Sequence, residues 1–223
     1  MNPTQPKGMP PLTQNIEGLR SHSLLISIFV GTPGETPTQR RWRSWLVHSL
    51  TKAARHYENA RKLTLMDARE TNGSHPSGQA LPMLDYAFEL EDCITSLDKA
   101  IACIQALHAR GEFPDSRVVA LAADTRLLRA FRNKQEHLHT HLASGETANG
   151  PILVAIDSEG VGIKLQKLSM AFSTLRGLID AVYRDIASLF PKHDAESPPR
   201  PAGIPRLQIT ATVTTIPREP DKV

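Results

Sequence analysis

The sequence predicts a mainly α protein: an up-and-down four-helix bundle with a β-hairpin before its last helix and short strands near both termini. Three observations predict it. Apolar residues recur at alternating steps of three and four along four long stretches, the spacing of one helix face. The connections between those stretches are short, which favours antiparallel neighbours. Two β-rich runs, ILVAI and VGIKL, flank the turn signal Asp157-Ser158-Glu159-Gly160. At 223 residues the chain exceeds an ordinary domain of about 150, but by too little for a second core, so the surplus reads as arms and linkers. The expected division is an N-terminal arm with a short strand over 1–37, the bundle over 38–190, and a proline-rich linker with a C-terminal strand over 191–223.

The first 23 residues are rich in Pro, Gly and polar side chains and read as an extended arm; Leu24 to Val30 reads as a short strand. After the breakers of GTPGETPTQ the first long helix is expected from Thr38, as N-cap, to Glu70, burying Trp42, Leu46, Ala53, Tyr57 and Ala60. The loop TNGSHPSG precedes a second helix over 80–110, with Ala87, Leu90, Ile94, Leu97, Ile101 and Ile104 inside. A third helix should start after Pro114, capped by Asp115 or Ser116. It should run unbroken to Leu142 on an apolar face of Leu127, Phe131, Leu138 and Leu142. The hairpin follows, and then the clearest helix, from Gln166 to Phe190, in which Leu168, Phe172, Leu175, Ile179, Val182, Ile186 and Leu189 keep heptad-like spacing until Pro191 stops it. In the tail, LQITATVTTI alternates as a strand does; a lone strand is unstable, so it is expected to pair with Leu24 to Val30 of the same chain or of a partner.

Composition narrows the function classes. No run approaches the ~20 apolar residues of a bilayer-spanning helix, and Leu24 to Val30 sits too far from the N-terminus to be an ordinary secretory signal, so a cytoplasmic protein without a membrane partner is expected. Cys93 and Cys103 fall on one predicted helix about 15 Å apart, beyond disulfide reach, and read as small core residues in a reducing compartment. A net charge of +3 permits a nucleic-acid partner without requiring one. No P-loop, Rossmann glycine fingerprint, GxSxG elbow or redox CxxC is present.

Chemistry concentrates in LLRAFRNKQEHLHTHL of the third helix, where Arg132, Asn133, Glu136, His137, His139 and His141 occupy ten residues. On a continuous helix Asn133, His137 and His141 share a face at steps of four, and Arg132 pairs with Glu136 in the same way. Arg132 and His137 lie about 140° apart, on neighbouring faces that a long guanidinium side chain bridges. A permanent cation is thereby set beside a group that titrates near neutrality.

This stretch resembles the HEPN superfamily, small helical bundles that carry an Arg, four to six arbitrary residues and a His, commonly with a polar residue just after the Arg. Arg132 to His137 (RNKQEH) fits the four-residue form, with Asn133 in the polar position. The resemblance covers about residues 38 to 190 and rests on six motif residues and their context. It implies a metal-independent endoribonuclease of the toxin, phage-defence or RNA-processing kind, without a cofactor. It also implies a homodimer in which two motifs face each other, with RNA as substrate and a neutralising antitoxin or other protein as a further partner. Arg132 would then polarise the scissile phosphate, His137 would be the general acid or base for attack of the 2′-hydroxyl, and Asn133 would orient either. Such a site needs charge stabilisation and proton transfer near pH 7, which these residue types supply.

Other readings of the same residues stand beside this one. Arg132 and Glu136 also fit an exposed ion pair contributing about 0.3–0.5 kcal/mol. Glu136 and His139 are auxiliary candidates, His139 because it satisfies the six-residue spacing from Arg132. His137 and His141 at i,i+4 match helical zinc ligation, but no CxxC or HExxH supplies further ligands and no metal is expected. Glu89, Glu91 and Asp92 form an acidic cluster that either faces the His-rich helix or is a solvent face. Arg40, Arg41 and Arg43 beside Trp42 and Trp45 hold the ingredients of a weak RNA contact, with Trp42 preferred as a core residue. The reading from a different class is a catalytically inactive helical module that binds a protein or RNA partner, through its tails by strand addition.

Overall fold

The computed structural model describes residues 8–25, 35–70, 83–113, 115–145 and 151–198. The chain is mainly helical, with a small antiparallel sheet ahead of its last helix. In order it comprises α1 (Ile16–Leu25), α2 (Pro37–Glu70), α3 (Met83–His108), α4 (Arg117–Ala120), α5 (Ala122–Glu136), α6 (Leu138–Ala143), β1 (Ala155–Ile156), β2 (Gly162–Leu165), β3 (Leu168–Ala171) and α7 (Phe172–Ser188). Among the described residues no helix is long and apolar enough to cross a membrane.

The antiparallel pair α2 and α3 is the centre of the molecule. A reciprocal capping box starts α2: the Gln39 N–H donates to Thr36 Oγ1 at 3.2 Å, and the Thr36 N–H donates to Gln39 Oε1 at 2.8 Å. The cap is therefore Thr36, not Thr38, because Pro37 at the first helical position needs no donor partner. Leu46, Ala53, Tyr57 and Ala60 of α2 and Leu90, Ile94, Leu97, Ile101 and Ile104 of α3 are fully buried, as the spacing predicts, and Leu50 of α2 is buried with them. Cys93 is buried on α3, and burial pushes its thiol pKa well above the usual range; both cysteines are free. The other main wall of the core is α7, whose Leu175, Leu178, Ile179, Val182 and Ile186 are fully buried.

The third predicted helix is broken into α4, α5 and α6. Ser116 caps α4, its Oγ accepting from the Val119 N–H. Beneath it Asp185 of α7, itself buried, accepts from Ser116 Oγ–H (2.6 Å), Arg117 N–H (2.8 Å) and Val118 N–H (3.2 Å). This anchorage to a helix nearly 70 residues away fixes α4, and the chain turns at Leu121 before α5 resumes. No local propensity could announce that anchorage. The second break falls at His137, and beyond it Leu142 is exposed rather than buried.

The hairpin forms where expected, with shorter strands. β1 pairs antiparallel with β2, and β2 with β3, in the order β1-β2-β3. The turn is tied by Gly160 N–H to Asp157 O (3.1 Å) and Val161 N–H to Asp157 Oδ1 (3.0 Å), with Gly160 at φ 72°. The start of the last predicted helix is corrected: Leu168–Ala171 is a strand, and α7 begins at Phe172. Four residues with apolar ends fit either period; pairing of Leu165 with Leu168 across the Gln166-Lys167 turn decides for the strand.

A bare backbone is required at one point of this sheet. A Cβ on Gly162 would lie 2.6 Å from Met170 O and 2.8 Å from Asp157 Oδ2, whereas one on Gly177, exposed on α7, meets nothing within 4 Å. Gly162→Ala is expected to destabilise the protein by about 1–3 kcal/mol and Gly177→Ala to stabilise it by about 0.5–1 kcal/mol. Urea unfolding of the two variants checks these opposite signs.

The N-terminal region departs most from expectation. Leu24 and Leu25 end a helix rather than open a strand, and Met9, Ile16 and Leu19 are buried, so residues from 8 onward pack on the helical body. The Tyr57 hydroxyl donates to Pro10 O at 2.7 Å, and the Leu12 N–H donates to Glu58 Oε1 at 2.8 Å. Three buried apolar side chains supply the surface that composition seemed to deny. The expected strand residues 26–30 and 207–216, with their pairing, lie outside the described residues.

Candidate functional site

The candidate site is at the C-terminal end of α5, which runs antiparallel along α3. Phe131 and Leu128 bury the inner face of α5 and leave the RNKQEH residues at its edge and end. The Arg132 guanidinium lies between two carboxylates: Nη2 donates to Glu136 Oε1 at 2.5 Å, and Nη1 is 3.7 Å from Oδ2 of Asp98 on α3. Its Nε is buried without a hydrogen-bond partner. Asp98 is buried and lies 3.4 Å from Arg129 Nε through its other oxygen, while Arg129 Nη2 donates to Gln105 at 3.1 Å. Two arginines of α5 thus flank one buried acid, which fixes where the guanidinium of Arg132 can reach.

Asp98 escaped the sequence reading. The available signal was its place between Leu97 and Ile101, an acid one residue from the apolar stripe of α3 in a chain rich in arginine.

His137 is not a helical residue. It caps α5 at φ −101° and ψ 13°, in the sparsely occupied bridge region, and its N–H donates to Asn133 O at 3.0 Å. Its side chain is exposed, as are those of Asn133, Glu136 and His139. The helix resumes at Leu138, so the i,i+4 register assumed for His137 and His141 is interrupted between them. Among the described residues no group of three or more His, Cys, Asp or Glu is placed to hold a metal ion.

The acidic cluster of α3 divides. Glu89 and Asp92 turn to α2, where Glu89 Oε2 is 2.6 Å from His56 Nδ1 and Asp92 Oδ1 is 3.4 Å from Lys52 Nζ. Glu91 alone faces α5. Burial raises its pKa above the usual 4.5, and Asp92 raises it further. Opposing this are the Val154 N–H and the Gln135 amide, which lies close although it makes no well-aligned hydrogen bond.

Folding favours the protonated Glu91, so its penalty is absent below pH 4.5 and grows as pH rises through the raised folded value. Glu91→Gln, which keeps an acceptor for Val154, is expected to raise the melting temperature at pH 7 and to lose that advantage near pH 4. Thermal denaturation at the two pH values checks it.

The arginines at the start of α2 have different fates. Arg43 is committed to structure: Nη1 donates to Glu35 at 2.7 Å, Nη2 donates to Leu189 O, and the guanidinium lies 5.0 Å from the Phe190 ring centroid. Arg40 is exposed, 3.8 Å from Glu35, and Arg41 is exposed. Trp42 packs at 5.9 Å on Phe113, matching its core reading, whereas Trp45 is 41% exposed. These residues sit at the far end of α3 from Glu91 and Gln135, so the two arginine groups are not gathered into one cleft.

Comparisons of the chain with protein-family models, with curated proteins and with solved structures gave no match in any of the three.

Proposed function

We propose that this protein is a metal-independent endoribonuclease of the HEPN type, acting in the cytoplasm as a homodimer of four-helix up-and-down bundles. What supports the reading is the exposed His137 at a one-residue helix break, five residues after an arginine whose guanidinium is braced by Asp98 and Glu136. In the proposed reaction the RNA 2′-hydroxyl attacks phosphorus, the bond to the 5′-oxygen breaks, and a 2′,3′-cyclic phosphate and a 5′-hydroxyl result. His137 moves the proton, as base toward the 2′-hydroxyl or as acid toward the leaving oxygen. Arg132 offsets the charge that builds on the non-bridging oxygens, and Asn133 orients the phosphate.

The experiment is cleavage of end-labelled RNA by the purified chain in excess EDTA. Cleavage that persists and leaves cyclic phosphate ends supports the reading. Cleavage lost on chelation moves the chemistry to a metal.

A second reading, the inactive helical interaction module, is favoured by one observation: Arg132 already has two carboxylate neighbours. A broad RNA panel left intact by the native dimer, with or without EDTA, selects it.

A further inference from the structure

A second feature lies on the α2–α3 face. Near the N-terminal end of α2 and the C-terminal part of α3 is an open groove of about 560 Å³, lined by Arg41, Trp42 and Trp45 from one helix and Lys99, Ala102 and Cys103 from the other. Its walls are apolar, and among the described residues its only charged lining groups are two exposed cations. Among the described residues neither Arg41 nor Lys99 forms an ion pair, and no acid lines the groove. Glu35, the nearest acid before α2, is taken up by Arg43 and Arg40. Arg110 adds positive potential, being close enough to Cys103 to act on its thiol.

The occupant is defined by that chemistry. An exposed indole between unpaired cations suits a flat ring with an anion attached, as in a base and its phosphate; stacking tolerates any base, and the cations track the backbone. At 100° per residue Lys99 projects from the strip of α3 between the face that meets α2 and the face that meets α5, so it borders both the groove and the Arg132 region. Along α3, Cys103 and Glu91 are about 18 Å apart, a distance one short single strand can cover.

We infer that the groove lined by Trp45, Arg41 and Lys99 is a binding site for single-stranded RNA, gripping the strand further along α3 from the proposed scissile position. The inference rests on the nuclease reading for its choice of RNA over another anion, and its test does not depend on cleavage.

The protein has two tryptophans and both line the groove, so tryptophan emission, excited at wavelengths its three tyrosines do not absorb, reports on this place alone. The probe is a 12-mer 2′-O-methyl oligouridylate, which lacks the nucleophile of the proposed reaction and stays intact. Saturable change of tryptophan emission is expected. By anisotropy of the labelled oligomer, Trp45→Ala should weaken affinity about 5- to 100-fold, the loss of one stacked base. Arg41→Ser and Lys99→Ser should each reduce the slope of log affinity against log salt by about 0.7. All three side chains are exposed, and an unchanged melting temperature verifies that the variants fold.

Oligomer binding that leaves the emission and the Trp45→Ala affinity unchanged overturns the inference. So does tighter binding of a decaglutamate peptide than of the oligomer, which assigns the groove to an acidic protein segment, or loss of self-association in Trp45→Ala, which assigns it to a second copy. Cleavage without an emission change removes the groove and leaves the nuclease; an emission change without cleavage does the reverse.

Discussion

His137→Ala is expected to lower RNA cleavage by a factor of about 10² to 10⁴ without altering the fold. The size follows from the step removed. A general acid or base positioned at the reacting oxygen contributes that much, and water in its place must be recruited and is poorly matched in pKa near neutrality. The fold should tolerate the change because the imidazole is exposed and only the main chain of His137 closes α5. His139→Ala is the internal control: two residues on and also exposed, it should retain cleavage within a few-fold. Glu136→Gln probes the neighbouring cation. It removes the carboxylate 2.5 Å from Arg132, leaving Asp98 as its acidic neighbour; activity that is kept or raised fits a phosphate-binding role for Arg132. Equal cleavage by the native protein and His137→Ala would sink the assignment of the base.

Asp185→Ala is expected to cost about 3 kcal/mol or more, the largest stability loss of any single substitution considered. The carboxylate is buried and accepts from one hydroxyl and two main-chain N–H groups at the start of α4. Truncation strands three donors, and each buried donor left unpaired costs about 1–3 kcal/mol unless water enters. Asp185→Asn keeps one acceptor oxygen and should fall between the native protein and the alanine variant. Denaturant titration gives both numbers, and a loss under 0.5 kcal/mol for Asp185→Ala would show that α4 is held by packing of Val118 instead.

How far the fold could be read from the residues depended on how local its causes were. The buried stripe from Leu90 to Ile104 on α3 and the Asp157-Gly160 turn are fixed by spacing and turn chemistry within a few residues, and both appear where they were expected. The seating of the start of α4 depends on Asp185, 68 residues beyond Arg117, and is invisible to any window of sequence. The strand at Leu168 depends on its partner Leu165 across a two-residue turn, in a stretch whose apolar pattern also fits a helix.

The candidate site divides in the same way. Arg132, Asn133 and His137 are named by their types and spacing, but Asp98 enters only through the antiparallel fit of α5 on α3. A helix assumed continuous put His137 and His141 on one face; the break at His137 leaves its imidazole exposed at the end of α5. Arg43 shows the converse: in QRRWRSW it is indistinguishable from its neighbours, yet it is the one spent on Glu35 and Leu189.

The two ends of the described chain are joined by side chains. Asn15 Nδ2 donates to Ser197 Oγ at 2.7 Å across 182 residues, and Gln14 Nε2 donates to Asp180 Oδ1 at 2.9 Å across 166. This closure imposes an order of assembly. The α2–α3 hairpin can zip from neighbouring residues, but the segment carrying α1 has no complete seat until α2 and α7 stand together, so its docking is expected to be the latest step. By the same logic it is the earliest to let go. Amide exchange in Ile16–Leu25 should therefore report a local opening of lower free energy than the exchange of α3, and the first element of the sequence is the last part of the structure.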